Sequence, residues 1–361
     1  MKRRQFLKAA GLGLATTAVA KPAVAQSSPE IRWRLASSFP KTVGAWYAGE
    51  VFAKFIADAT DNRFQIQTFA AGEIVPGLQA LDAVQTGTVE LCHTAAYYYI
   101  GKDPTFTLPC ALPFGPNARQ QNAWFYHAGG NELVNEFVKK FNLYALPAGN
   151  TGTQMGGWFR KEVNTLDDLK GLKFRIGGWA GRTFQKLGSV PQQIAGGDIY
   201  PALEKGAIDA AESVGPYDDG KLGFSKVAKY YYYPGWWEGG MALHLLINLE
   251  KWEALPGVYK AIIASAAAHA NTMASALWDA ENPKALRRLV ASGVQLRPFS
   301  PQLMDTFLKT SNEVNAEASA SNADFKKMYD HLVAFKNEEY LWWQVAEYSY
   351  DGFMIRSRGR G

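Results

Sequence analysis

Apolar and polar residues alternate along Ile31-Arg32-Trp33-Arg34-Leu35-Ala36, the period-two signature of a strand with one buried face. Ser37-Ser38-Phe39-Pro40 breaks that pattern. From about Gly44 to Thr60 the spacing becomes helical, with Trp46, Tyr47, Val51, Phe52, Phe55 and Ile56 on the apolar side. Phe64-Gln65-Ile66-Gln67-Thr68-Phe69 alternates again. A loop with Gly72, Pro76 and Gly77 follows, a helix is predicted over Leu78 to Gln85, and Val89 to His93 reads as a third strand. Strands separated by helices argue for a parallel sheet with crossover connections.

A second rhythm starts further on. Leu143 to Ala148 and Gly156 to Arg160 read as strands, with Asn150-Thr151-Gly152 between them. Leu172 to Ile176, a helix over Arg182 to Leu187, Val190 to Ile194, a helix near Ile199 to Lys205, and Ala207 to Ser213 continue it. Met241 to Asn248 is apolar enough for a buried strand. From Leu255 the chain is predicted to be mostly helical, with breaks near Pro283 and over Gly293 to Pro301. The simplest architecture is two α/β lobes joined by crossing strands, with a helical C-terminus. Such a fold puts a ligand cleft between the lobes, at the carboxyl ends of the strands.

The N-terminus reads as an address rather than structure. Arg3-Arg4-Gln5-Phe6-Leu7-Lys8 matches the twin-arginine export pattern, Ala9 to Ala20 is apolar, and Ala23-Val24-Ala25 supplies a small-x-small cleavage site. The apolar run is shorter than the roughly 20 residues a membrane span needs. Residues 1–25 are therefore expected to be a cleaved signal peptide, with the mature chain in the periplasm. The whole chain has 38 basic and 33 acidic side chains, net +5. Lys2, Arg3, Arg4, Lys8 and Lys21 carry all of that excess, so the mature chain is formally neutral and a nucleic-acid partner is not expected. Two cysteines, Cys92 and Cys110, are too few for a disulfide scaffold and read as buried small residues.

Enzyme signatures are missing from the sequence. There is no GxSxG nucleophile elbow, no HExxH helix and no P-loop, and Gly177-Gly178-Trp179-Ala180-Gly181 lacks dinucleotide-binding spacing. His93, His127, His244, His269 and His331 are scattered and read as structural, which argues against a transition-metal site.

Polar groups concentrate instead at the ends of predicted strands, in residues 150–158, 171–178 and 206–219. Here Leu172-Lys173-Phe174-Arg175-Ile176, Gly206-Ala207-Ile208-Asp209-Ala210-Ala211-Glu212 and Ala71-Gly72-Glu73-Ile74-Val75-Pro76-Gly77 resemble the DctP-type solute-binding subunits of tripartite ATP-independent periplasmic (TRAP) transporters. Gln192 to Gly206, Tyr230 to Trp237 and Gly101 to Phe106 resemble the alpha-keto acid-binding branch. The resemblance implies a two-lobed periplasmic-binding-protein fold with crossing hinge strands, a long bridging helix and a helical C-terminus. It divides the mature chain into lobe I (26–150, completed by about 240–255), lobe II (151–239) and bridging and C-terminal helices (256–361). It also implies a binding subunit that passes a small monocarboxylate, a 2-oxo acid or a 2-hydroxy acid such as lactate, to membrane permease subunits.

Arg175 is the first candidate for the ligand carboxylate, because a guanidinium just past a strand can grip it with two parallel hydrogen bonds. The resemblance assigns it that role. It also implies that Gln154, Glu212, Glu238 and the backbone carbonyl of Ser213 hold a cation, sodium or calcium, that bridges to the ligand. Hard cations take oxygen donors, and a carboxylate with an adjacent carbonyl or hydroxyl can chelate one. Asn150 and Tyr99 are expected to complete the polar shell. A bulky tryptophan is expected after the cleft glutamate in that branch, whereas this chain has Ser213, which predicts a ligand longer or more branched than pyruvate. Tyr340, Leu341, Trp342, Trp343, Val345, Tyr348, Tyr350, Phe353 and Met354 are too apolar all round for a solvated helix. The resemblance implies a helix exchanged between protomers, hence a homodimer. The rival reading is a periplasmic metal-dependent enzyme with Glu212 and Glu238 as acid and base.

Overall fold

The computed structural model describes residues 29–359; the expected signal peptide lies outside them. In chain order the strands are β1 (Ile31–Ser37), β2 (Phe64–Phe69), β3 (Leu91–Ala95), β4 (Leu143–Asn150), β5 (Trp158–Phe159) and β6 (Lys173–Arg175). After them come β7 (Val190–Gln192), β8 (Ala210–Ala211), β9 (Tyr230–Tyr233), β10 (Ala242–Asn248) and β11 (Gln295–Pro298). The helices are α1 (Gly44–Ala59), α2 (Ala80–Gln85), α3 (Ala118–His127), α4 (Gly130–Val138), α5 (Ala180–Lys186) and α6 (Ile199–Glu204). They continue with α7 (Pro216–Leu222), α8 (Leu249–Glu253), α9 (Gly257–Ala291), α10 (Pro301–Ser321), α11 (Ala323–Val345) and α12 (Glu347–Ser357).

Two sheets define two lobes. Lobe I is built on β2-β1-β3-β10-β4, in which β1 runs parallel to β2 and β3 while β10 is antiparallel to β3 and β4. Lobe II is built on β11-β9-β5-β8-β6-β7. The chain crosses between them as extended segments after β4 and after β9, and again along helix α9, which leads from β10 to β11. The two extended crossings pair with each other: Gln154 N donates to Glu238 O at 3.1 Å and Gly235 N to Gln154 O at 2.9 Å. Gln154 and Glu238 are therefore fixed to one another at the hinge.

A single helix ties the lobes together. The N-terminal half of α9 buries Tyr259, Ile263 and Ala270 against the strands of lobe I, while Leu289 near its end packs with Trp158 and Ile199 of lobe II. At 35 residues it spans about 50 Å. Pro283 was expected to break this helix and does not: it sits on an exposed flank, where the lost amide hydrogen bond disturbs no packing. The helical C-terminus also contributes a strand missing from the sequence reading, β11, which runs parallel to β9 of lobe II. Helices α3 and α4 were likewise not anticipated, although Asn117 and Gln120 form a complete capping box at the start of α3. Cys92 and Cys110 are both free and buried. No helix among the described residues is long and apolar enough to cross a membrane.

Candidate functional site

The ends of β6 and β8 and the two crossings meet beneath a 3₁₀ turn at Ala96–Tyr99 of lobe I. Arg175 ends β6 and is 3% exposed. Its Nε donates to Ile194 O at 3.0 Å, and its Nη1 donates both to Glu212 O at 2.7 Å and to Glu212 Oε2 at 2.9 Å. Nη2 has no partner among the described residues. Burial works against the guanidinium charge and Glu212 supports it, so Arg175 stays a cation. Nε and both hydrogens of Nη1 are committed, so Nη2 is the one nitrogen of the guanidinium left to meet an acceptor, and neither two-nitrogen edge is wholly free.

Glu212 follows β8 and is fully buried. Its Oε2 takes Arg175 and the Gly177 amide at 2.9 Å each, while Oε1 has no partner. Burial raises its proton affinity, against the pull of Arg175 and the Gly177 amide. Glu238 is also buried. Burial first, and then the Glu212 charge, hold its carboxyl well above the usual carboxylate range, against the effect of Arg175. Its Oε2 has no partner, and neither has Oε1 of buried Gln154, whose amide nitrogen donates to Thr151 Oγ1 at 3.0 Å. Three segments thus each bury one oxygen with no hydrogen-bond donor, beside a paired guanidinium. Leaving a buried acceptor unmade costs about 1–3 kcal/mol, so this arrangement is expensive unless something fills it.

A hard cation fits these donors. Two carboxylates and an amide oxygen form an all-oxygen set. No cluster of three or more histidine, cysteine or carboxylate side chains exists among the described residues, so a cation here depends on neutral oxygens as well. Soft or nitrogen-seeking metals find nothing to hold.

The other expected residues are placed differently. Asn150 is buried at the end of β4, but Nδ2 donates to Gln121 Oε1 at 2.6 Å and Oδ1 accepts from Gly152 N at 3.0 Å. It braces the first crossing. Tyr99 does not join the site: its hydroxyl accepts from Leu81 N at 3.2 Å and bonds Thr94 Oγ1 at 3.0 Å, and its ring packs on Phe106. The 3₁₀ turn aims Tyr97 at the site instead. Its hydroxyl donates to Met241 Sδ at 2.9 Å, and the charge of Glu238 adds to burial in pushing its ionisation far up. Tyr98 lies beside Arg175, with burial setting its hydroxyl at about 12 despite that cation.

Tyr97 also explains the paired glycines. A Cβ at Gly177 would stand 2.9 Å from its ring and one at Gly178 2.8 Å from it, and Gly178 has φ +65°. The backbone of lobe II lies flat on an aromatic ring of lobe I. Gln193 of lobe II donates to Tyr98 O of lobe I at 2.9 Å. The lobes are in contact across the site. Met241, Gly177 and Gly178 were missed as functional in the sequence, where the twin glycines were the available signal, and Tyr97 was read only as one of the tyrosines at 97–99 that could wall a pocket.

Two lobes on crossing strands, closed over a buried arginine and a nest of oxygens, define an extracytoplasmic solute receptor. The chain belongs to the DctP family, bacterial extracellular solute-binding protein family 7, whose model matches residues 40–322. It is 46% identical over 99% of its length, and 100% of the relative's, to a monocarboxylate 2-oxoacid-binding periplasmic protein of Nostoc sp.. A TRAP transporter solute-binding protein of Bordetella bronchiseptica, a mixed-occupancy dimer with calcium and picolinate in one site, matches with TM-score 0.91 and 45% identity over 92% of this chain and 99% of that one. A TRAP protein of Pseudoalteromonas atlantica with bound sodium and pyruvate matches with TM-score 0.86 and 35% identity over 89% and 98%. The chain is a periplasmic solute-binding subunit of a TRAP transporter that takes a small carboxylate and works with the membrane permease. The family is one of receptors, and the enzyme reading is dropped.

Proposed function

We propose that this receptor captures a 2-oxo monocarboxylate together with a cation, sodium or calcium. Arg175 takes the carboxylate through Nη2, the nitrogen its contacts to Ile194 and Glu212 leave open. Gln154 Oε1, Glu212 Oε1, Glu238 Oε2 and the Ser213 carbonyl hold the cation, which supplies a Lewis-acid anchor for the ligand. Asn150 braces the crossing that carries Gln154, and Tyr97 in place of Tyr99 closes the roof. The observation carrying this reading is the set of three buried, donorless oxygens around the Arg175–Glu212 pair.

The relatives point to a shared chemistry. Pyruvate and picolinate, held by two of them with a cation, differ in size and aromaticity. Each nevertheless has a second donor on the atom next to its carboxylate, so each can chelate in a five-membered ring. Recognition then reads the chelate first and the side chain second. Serine at 213 leaves room, which favours 2-oxobutyrate or 2-oxoisovalerate over pyruvate.

Calorimetry on chelator-treated protein tests this. Pyruvate and picolinate should bind only with calcium or sodium added, nicotinate should not bind, and Arg175→Ala should remove binding. Equal binding of picolinate and nicotinate, which share charge and shape but not the chelate, would refute it.

We further propose a homodimer through α11 and α12. Leu341 is 70% exposed, Val345 70%, Tyr348 70% and Ile355 72%, large apolar side chains on two successive helices that a second copy would cover. Sedimentation should give a dimer that Leu341→Glu with Val345→Glu dissociates; a monomeric parent would sink the idea.

A further inference from the structure

Three residues beyond Gly215, helix α7 carries two adjacent buried aspartates; Asp219 holds the amide that follows Ser213, while Asp218 touches neither the proposed cation donors nor the carboxylate site. They face in different directions. Asp219 Oδ2 accepts from Trp158 Nε1 at 2.9 Å and from the Tyr231 hydroxyl at 2.6 Å, and Oδ1 takes the Val214 amide at 3.2 Å. Every one of these partners belongs to lobe II. Asp218 turns the other way. Its Oδ1 accepts from Gly44 N at 2.8 Å and its Oδ2 from Trp278 Nε1 at 2.8 Å. Gly44 is the first residue of α1 in lobe I, and Trp278 lies on α9, the helix shared by both lobes.

The contact to α1 fills a gap in lobe I. Val43, at the N-cap of α1, provides no side-chain cap, and the first turn contains no acidic residue. The opening amides of a helix need acceptors and favour negative charge. Lobe II supplies both, through a carboxylate anchored two residues beyond Pro216. A side chain at Gly44 is ruled out by the same arrangement, since a Cβ there would stand 2.7 Å from Trp278 Nε1. Asp218 is completely buried, so water cannot replace it once the lobes meet.

We propose that Asp218 is a clasp between the lobes, a carboxylate of lobe II that caps helix α1 of lobe I and raises the population of the closed, ligand-holding form. It is a positioning residue. It lies on the segment that leads directly from Glu212 and Ser213, so filling the site and seating the clasp stabilise the same state. Apparent affinity scales with the fraction of protein in the competent state, so loss of the clasp appears as weaker binding without any change in the ligand's contacts. The proposal rests on the reading that this chain closes on a carboxylate and a cation.

The test compares wild type, Asp218→Ala, Asp218→Asn and Tyr231→Phe in the full mature chain. Tyr231→Phe removes a buried hydrogen bond wholly inside lobe II. Pyruvate with calcium is titrated by calorimetry, its release is followed by stopped flow, and ligand-free proteins are measured by small-angle scattering. Asp218→Ala should raise the dissociation constant about tenfold, mainly through faster release, and enlarge the ligand-free radius of gyration. Asp218→Asn, which keeps one acceptor, should fall between, and it carries the comparison if the alanine variant does not fold. Tyr231→Phe should lower the melting temperature and leave affinity and radius as in wild type. A folded Asp218 variant with wild-type affinity and radius overturns the clasp, as does an equal loss of affinity in Tyr231→Phe. If wild type itself binds no carboxylate, the functional reading fails, and the scattering of the ligand-free variants still decides the clasp.

Discussion

Replacing Arg175 by methionine should destabilise the ligand-free protein far more than replacing the pair. In the native chain Nη1 and Nε satisfy Glu212 O, Glu212 Oε2 and Ile194 O. Methionine fills similar space and supplies none of those donors. Glu212 then keeps a single donor, the Gly177 amide, in a fully buried position. Breaking a buried ion pair from one side costs about 3–5 kcal/mol, because the surviving charge is left without compensation.

Arg175→Met with Glu212→Gln removes that charge together with its partner. Its neutral amide can still accept from Gly177, so the double variant should recover much of the loss. A coupling of at least about 2 kcal/mol between the two sites is expected. Urea unfolding at pH 7.5, in calcium-free and sodium-free buffer, measures all four proteins, with equal m-values as the check that the same unfolding is compared. Neither the single nor the double variant should bind pyruvate. A single variant within about 1 kcal/mol of wild type, or a double variant no more stable than the single, would show that the pair carries no buried charge.

Three further outcomes follow from other parts of the molecule. Burial lowers the proton affinity of His93 and His244 to about 4, so both fold as neutral rings and their stabilisation is complete above about pH 6.5 and is lost as pH falls towards 4. His244 is buried, and His244→Leu should flatten the acid limb of stability by up to about 1.4 kcal/mol per pH unit, read from melting curves between pH 7 and 4.5; an unchanged slope refutes it. Gly178→Ala forces a Cβ to 2.8 Å from the Tyr97 ring at φ +65° and should weaken pyruvate binding at least about tenfold, with partial rescue by Tyr97→Ala; calorimetric affinities equal to wild type would count against the flat contact between the lobes. Cys92 and Cys110, buried and with their thiols pushed up by burial, should both resist iodoacetamide in the native protein and react once it is unfolded, as mass spectrometry would show.

How much of this could be read in the sequence follows from which interactions are local. Strands β1, β2, β4 and β10 and helix α1 were legible because period and length agree along a single stretch, as in the alternation of Ile31 to Ala36. Four strands of lobe II, β5 to β8, were located but drawn too long: β8 is Ala210–Ala211 alone, since the sheet ends where Glu212 must turn into the site. β9 and β11 were not legible, because Tyr230–Tyr233 has no alternation and its partner lies some 60 residues away, beyond α9. At the site, Arg175, Gln154, Glu212 and Glu238 came from motif resemblance, and the structure brings those four together. Choosing among Tyr97, Tyr98 and Tyr99 needed the pitch of a single 3₁₀ turn, which no pattern encodes. Glycine 177 and 178 carried that answer indirectly. Two adjacent residues without side chains leave space for a neighbour pressed against the backbone, and Tyr97 of lobe I is the ring that fills it while its hydroxyl touches Met241. Function in this fold depends on contacts made across the crossings and between the lobes, from Arg175–Glu212, 37 residues apart, to Asp218–Gly44, 174 apart; those are the contacts on which a sequence, read along its length, is silent.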